Sequence, residues 1–348
     1  MANNTKLIRD NDPLTPIVPD TKPKEAEEQE QYGLMLHGPV TDNFARITLY
    51  KNSKDKGQQD KTGQQIIKDG DMTVFIQKYK QLTGNLGISV HKLLRICTLE
   101  LTHQNSYGSS TPQTEVFISL DKYMDYCGIT NSKSSRDTAR KKLWEYLDVL
   151  YAISIEGGEK RKGSHVTVGK MRICDYAKFE SGGIRLNFSK PMAQYIMNSF
   201  PMSYPLALLK LDSRNESLFF MGEKLAQHSS NKNNIKRGTA NIISIEKLLR
   251  ATKIPSYDAV KGKDRHYKRH IMTPFDNALE SLVTEGVLKE FNYCGSKGIK
   301  LTKSERQEVL ENYEVFKTLY VCFVLEGASN LPAQMVLNFN TQEDEDDT

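Results

Sequence analysis

Residues 118–129 read ISLDKYMDYCGI, and residues 243–254 read ISIEKLLRATKI. Each copy runs isoleucine, serine, an apolar residue, an acid, a lysine and two large side chains, and each ends on isoleucine. Serine followed by an acid is how a helix begins: the hydroxyl caps free backbone N–H groups, and the carboxylate meets the positive helix end. The isoleucine before each serine belongs to a short strand. The spacing therefore predicts a strand passing into a short helix, twice, in units 125 residues apart.

The surroundings of the two copies also match. Upstream of the first, His91–Leu101 sets Leu93, Leu94, Cys97 and Leu101 at helical spacing; upstream of the second, Ser217–His228 does the same with Leu218, Phe219, Met221, Leu225 and Ala226. Gly128 ends the first short helix, and the turn Ile129–Lys133 leads to a second helix over roughly Ser134–Leu150. Its expected buried stripe is Ala139, Leu143, Tyr146, Leu147 and Leu150, with Lys133, Arg136, Arg140 and Trp144 around a neighbouring face. Alternating Tyr151–Glu156, the turn Gly157–Ser164 (GGEKRKGS) and the return strand His165–Ile173 read as a basic hairpin. Ile184–Phe188 adds a strand and Pro191–Phe200 a helix. In the second unit a basic loop, Ser229–Gly238, precedes the capped helix at Ser244. A long helix over Asp264–Glu285 follows, broken or kinked at Pro274. Val287–Cys294, the turn Gly295–Gly298, Lys300–Leu301, an inserted helix at Ser304–Asn312 and a last strand at Thr318–Leu325 complete it. Helix, turn, helix and basic hairpin is the order of a winged helix-turn-helix.

The fold class is thus α+β: two tandem winged-helix domains with a flexible N-terminal arm and an acidic C-terminal tail. The expected domains are 1–80 (arm, partly disordered), 81–200, 201–326 and 327–348 (tail). Residues 1–30 carry four prolines and few large apolar side chains, a composition of disorder. Residues 31–80 fit either a small hairpin or a flexible arm. Glu343–Asp347 make the tail acidic, whereas Lys210–His270 holds 14 Lys/Arg against 6 Asp/Glu, and Thr130–Lys170 holds 9 against 5. Basic segments in the body of a chain whose net charge is only +5 suit a polyanion. Mean hydropathy is −0.55, and the apolar run Leu319–Leu325 is far too short to span a bilayer. The polar, acidic start has no secretory character. Cys97, Cys127, Cys174, Cys294 and Cys322 form no CxxC pair, which reads as five reduced thiols in a cytoplasmic protein.

Arginines on a helix that follows a tight turn are suited to the major groove, where a guanidinium can meet guanine O6 and N7 together. The plainer reading of the same residues is a solvated, charge-paired helix face. The repeat favours DNA, because the arrangement occurs twice. The candidate contacts are Lys133, Ser135, Arg136, Arg140 and Lys141 on the first long helix, and Lys160, Arg161 and Lys162 on the hairpin. In the second unit they are Lys263, Arg265, Lys268 and Arg269 at the start of the long helix, Lys236 and Arg237 in the basic loop, and Lys297 in the last turn. His266 and His270 have zinc-ligand spacing, but basic neighbours and the lack of a completing ligand argue against a metal. Gly158–Ser164 lacks the lysine and the following helix of a phosphate-binding loop. The sequence contains no GxSxG, no HExxH and no His-hydrophobic-His pair, so no catalytic residues and no cofactor are expected.

Over roughly residues 85–325 the pattern resembles a family, the replication initiators of iteron-carrying plasmids, which consist of two tandem winged helices. Ile184–Phe200 (IRLNFSKPMAQYIMNSF) is similar to the strand and helix that close the first domain. Leu209–His228 is similar to the element opening the second. Ile243–Ala251, followed by Tyr267–Phe275 (YKRHIMTPF), resembles the short helix and the aromatic–basic helix running into proline. The departures are residues 1–80, the Ser304–Asn312 segment, and Leu218-Phe219-Phe220 where the family commonly has Leu-Tyr-Glu. The resemblance implies a protein that binds repeated double-stranded sites at a plasmid or phage-like origin, promotes duplex opening and recruits host replication proteins such as a helicase or initiator. It also implies a monomer–dimer equilibrium and no bond chemistry. The rival expectations are a winged-helix transcriptional regulator, a metal-dependent origin-nicking enzyme, and a winged-helix module that binds protein.

Overall fold

The computed structural model describes residues 32–38, 58–59, 64–69, 72–77, 82, 87–106, 108–161, 164–180, 182–260, 267–302, 304–305 and 312–326. Strand β1 (Tyr32–His37) precedes three strands, β2 (Gln58–Gln59), β3 (Gln65–Asp69) and β4 (Met72–Ile76). Helix α1 (Ile88–Gln104) follows, and 13 of its 17 residues are buried, which makes it the spine of the first unit and not a half-exposed surface helix. Its hydroxyls are satisfied along the axis: Thr98 and Thr102 donate to Leu94 O and Thr98 O, both at 2.8 Å. β5 (Glu115–Ser119) leads into α2 (Leu120–Tyr126), and α3 (Lys133–Ala152) runs directly into β6 (Ile153–Arg161) and β7 (Ser164–Arg172). β8 (Cys174–Glu180), β9 (Gly183–Phe188) and α4 (Lys190–Met197) close the unit, and β10 (Phe200–Pro205) leaves it by pairing antiparallel with β1.

The first unit holds two sheets. One has the order β5-β9-β8; the other is β2-β3-β4-β6-β7. Of the two outcomes open for residues 31–80, the hairpin is the one formed. β3 and β4 pair with each other, and β4 lies antiparallel on β6, with Val74 opposite Ile155 and Ile76 opposite Ile153. Those four side chains would expose a large apolar surface if the hairpin were undocked; Val74, Ile76, Ile153 and Ile155 are all buried.

The second unit begins with α5 (Ala207–Lys210) and α6 (Glu216–Ser229), then α7 (Lys232–Lys236), β11 (Ile242–Ser244), α8 (Ile245–Arg250) and α9 (Tyr257–Val260). A π-turn (Lys268–Met272) enters α10 (Thr273–Thr284); β12 (Leu288–Cys294), α11 (Tyr313–Phe316) and β13 (Tyr320–Leu325) finish it. Its sheet has the order β11-β13-β12, the same first–third–second arrangement as β5-β9-β8.

The sequence repeat is therefore a repeat in space. Ser119 accepts a hydrogen bond from Lys122 N at 3.1 Å, and Ser244 accepts one from Lys247 N at 3.4 Å. Ile118 and Ile243 are buried in equivalent strands, and Leu120 and Ile245 in equivalent first turns. Full burial of one such side chain contributes about 1.5–3 kcal/mol.

The two units meet through a wholly buried ionic cluster. Arg95 of α1 donates from Nε to Glu223 Oε1 of α6 at 2.7 Å and from Nη2 to Oε2 at 3.3 Å. His91 Nε2 lies 3.0 Å from Oε1 and 2.9 Å from Oε2, and the Tyr204 hydroxyl donates to Oε1 at 3.4 Å. Burial alone would push the Glu223 carboxyl up. The Arg95 charge and then His91 outweigh it, and the carboxyl titrates well below the usual carboxylate range. Phe219 and Phe220, where the related pattern has Tyr-Glu, pack their rings 5.5 Å and 5.6 Å from His91 and seal the cluster from water.

Three expectations are corrected. α3 continues through Tyr151 and Ala152, which the alternating pattern had assigned to a strand; Ala152 is buried at its end. Gly157 and Gly158 lie inside β6 at a register shift and not in a turn, so the hairpin is longer than its glycines suggested. Cys294 and Cys322 are not free thiols but a disulfide, with Cα atoms 6.2 Å apart. β12 and β13 pair Asn292 with Cys322 and Cys294 with Tyr320, so the two cysteines are diagonal neighbours across a hairpin. The remaining thiols are held protonated by burial: Cys97 is pushed far up, Cys174 to about 12 and Cys127 to about 11.

Candidate nucleic-acid interface

α3 carries Lys133, Arg136, Arg140 and Lys141 of the first unit. Ser132 caps it, accepting from Ser135 N at 3.1 Å and donating to Ser135 Oγ at 2.8 Å. Ala139, Leu143, Leu147 and Leu150 are buried as the stripe required, while Tyr146 is half-buried. Lys133, Arg140 and Lys141 stand exposed on the opposite side; Ser135 and Arg136 are half-buried at its edge. Arg136 is ion-paired with Asp121 of α2 and donates to Asn131 Oδ1 at 3.1 Å. The turn of the helix-turn-helix thus holds this guanidinium in place. Arg140 is paired within its own helix to Asp137 at 3.3 Å, a solvent-screened contact that a stronger anion can replace. Trp144, the sole tryptophan, lies one turn beyond Arg140 and is 53% exposed. The spacing 136, 140, 144 placed it on this face, but composition gave no reason to count it among the site residues.

Helix α10 is entered differently. Pro274 has no N–H to donate back along the helix, and the backbone accommodates this with the wider π-turn over Lys268–Met272. Ile271, Met272 and Phe275 anchor that turn in the core, which leaves Lys268, Arg269 and His270 exposed. Lys263, Arg265 and His266 lie outside the described residues. Lys236 and Arg237 are exposed at the end of α7. That loop is fixed from beneath: His228 Nε2 donates to Thr239 O and Ile242 O at 3.0 Å and 2.8 Å, and its Nδ1 accepts from Asn234 at 3.0 Å. Burial pushes the His228 imidazole down, so it is neutral.

Sheet topology relocates the first wing. β8–β9 of the first unit occupies the place of β12–β13 in the second, so the connection equivalent to the wing is the one from Glu180 to Gly183 and not Gly157–Ser164. The basic hairpin β6–β7 belongs to the other sheet, and a linear reading took it for the wing because it is the first hairpin after the long helix. Lys160 and Arg161 sit on β6, their side chains outside the described part; Lys162 is outside the described residues. The ends of β8 and β9 are charge-balanced: Lys178 pairs with Glu180 at 2.5 Å, and Arg185 with Glu180 at 3.0 Å and with Glu115. In the second unit Lys297 is exposed on the turn after β12.

Between the units, a cleft of about 540 Å³ lies where the turn of the first helix-turn-helix meets residues 210–213. Lys92, Lys142 and Lys210 line it beside Ser134, Ser135 and Thr138. Lys92 donates to Leu211 O, and Ser89 donates to Ser213 at 3.0 Å. No sequence signal marked these lysines, because they converge only through the junction. Among the described residues, no group of three His, Cys, Asp or Glu side chains is placed to hold a metal ion, and no helix is long and apolar enough to cross a membrane.

No protein-family model matches the sequence, and no curated protein is similar to it. Two solved structures are similar in fold. One is the Pi initiator protein in complex with iteron DNA, with a TM-score of 0.43 and 13% identity over 75% of this chain and 99% of that one. The other comprises domains 2 and 3 of RctB, with a TM-score of 0.36 and 8% identity over 81% of this chain and 99% of that one.

Proposed function

We propose that this protein binds double-stranded DNA sequence-specifically as a replication initiator, with one winged helix on each of two successive stretches of a repeated site. The observation that carries the reading is the repeat in space: the same serine-capped short helix and a three-stranded sheet of the same first–third–second order occur twice, each with a later helix entered or lined by exposed cations. A buried Arg95–Glu223–His91 cluster joins the two units. A rigid pair of reading helices is what a site of two adjacent half-sites requires.

In this reading Arg136 and Arg140, with Arg265 and Arg269, read base edges. Lys133, Ser135, Lys141, Lys236, Arg237, Lys263, Lys268 and Lys297 position the protein on phosphates, as do Lys160–Lys162 from the β6–β7 hairpin. Counter-ion release by these cations makes the affinity fall with salt. The chain performs no bond chemistry; duplex opening and recruitment of host replication proteins are consequences of binding energy, and a monomer–dimer equilibrium sets how much protein reaches the origin.

Footprinting of the purified protein on DNA flanking its own gene tests this. Regularly spaced protection over direct repeats supports the initiator reading. One protected palindrome over a promoter would replace it with a repressor, and no protection at low salt would remove DNA binding altogether.

A further inference from the structure

The turn after β12 carries a residue that phosphate contact does not explain. Gly295 N donates to Ile299 O at 3.0 Å, Gly298 N to Gly295 O at 2.9 Å, and Leu301 N to Tyr293 O at 2.9 Å, so the turn is closed on itself. Gly298 has φ +77°, and a Cβ there would come within 2.8 Å of Ile242 Cδ1; the backbone is seated directly on β11. On this fixed turn Ile299 is 70% exposed, the most exposed large apolar side chain among the described residues. Lys297 and Lys300 flank it, both exposed, with Lys300 only loosely paired to Glu290 at 3.8 Å.

An isoleucine makes no hydrogen bond to a base edge or a phosphate. Against a duplex, a rigid turn bearing an aliphatic tip between two ammonium groups has one use: the lysines take phosphates on either side, and the aliphatic group enters a base step from the minor groove. We infer that Ile299 is such a wedge, acting on an easily unstacked pyrimidine–purine step beside the stretch read by the second unit. The inference rests on the DNA-binding reading above and deepens it, because it couples binding by the second wing to local distortion of the duplex. Ile299 stands largely in solvent in the free protein, so its truncation leaves the fold intact. Its side chain supplies the unstacking, and Lys297 supplies affinity.

The test uses the full chain and the duplex that the footprint identifies, with 2-aminopurine placed in turn at each position near the second unit. Wild type and Ile299→Leu should brighten one position several-fold. Ile299→Ala should still protect the site yet leave that position as dim as free duplex, and Lys297→Ala should weaken binding while the bound complex stays bright. If Ile299→Ala brightens the same position as wild type, the wedge is wrong. A wild type that protects its site without brightening any position also overturns the wedge and leaves DNA binding standing. A wild type that protects no DNA removes both.

Discussion

The two repeated units share their first half and differ in their second. Up to the short helix they match in detail, from the buried isoleucine to the serine cap. Beyond it, the first unit has an uninterrupted 20-residue helix and charge-balanced ends of β8 and β9, while the second has a π-turn forced by Pro274 and a wing turn bearing Lys297, Ile299 and Lys300. One framework thus supports two divisions of labour. The first unit carries its candidate cations on the long helix and on β6; the second divides them among the end of α7, a bent helix and the turn after β12.

The largest effect is expected where the units join, because the comparison has meaning only if they are held together. Glu223→Gln leaves Arg95 buried without its carboxylate and should lower unfolding stability by about 3–5 kcal/mol in a denaturant titration. Replacing Arg95 and Glu223 together by leucine should cost clearly less than the two single changes summed. The pH dependence has a definite sign. The Glu223 carboxyl is held below its unfolded value of about 4.3, so its contribution is complete above that pH and is lost as pH falls below it. Thermal melts between about pH 5 and 3 should show a decline that Glu223→Gln largely lacks.

Changes to the helices should separate the units. Arg136→Ala with Arg140→Ala should cost about 1–3 kcal/mol for each base-reading interaction removed and relax preference over one part of the site only, as measured by competition among mutated duplexes. Lys160→Ala with Lys162→Ala should instead weaken all sequences alike and flatten the salt slope by about 1 for each phosphate no longer neutralised. If that pair alters specificity, the β6–β7 hairpin reads bases in spite of lying outside the wing position. The smallest effects concern the shared half. Ser119→Ala and Ser244→Ala should each cost about 0.5–2 kcal/mol, with Ser119 the larger because its bond is the shorter, 3.1 Å against 3.4 Å.

What could be read from the chain follows the same division. The capped helices, the stripe on α3 and the core helix α1 were legible because local periodicity and caps are written within a dozen residues. The wing of the first unit was not, since strand order is a matter of distant pairing: nothing near Cys174–Phe188 announces that β9 lies beside β5. The Cys294–Cys322 disulfide was hidden for the same reason, its partners being 28 residues apart across an inserted segment. Glu223 looked like any polar residue on an amphipathic helix; only the packing of α6 on α1 brings it to Arg95 and His91. At the candidate interface, exposure was legible for Arg140 and Lys141, but the Asp121 partner of Arg136 and the cleft lysines Lys92, Lys142 and Lys210 required the fold.

The central claim is that two readers are held in one register by the buried junction. Its most direct test is the affinity of the wild-type chain for its footprinted site with about 5 base pairs, half a helical turn, inserted between the two halves. The expected result is a loss approaching that of removing one half altogether, with recovery of neither groove. Unchanged affinity would mean that the units find their grooves independently, and the account of a rigid two-headed reader would be wrong.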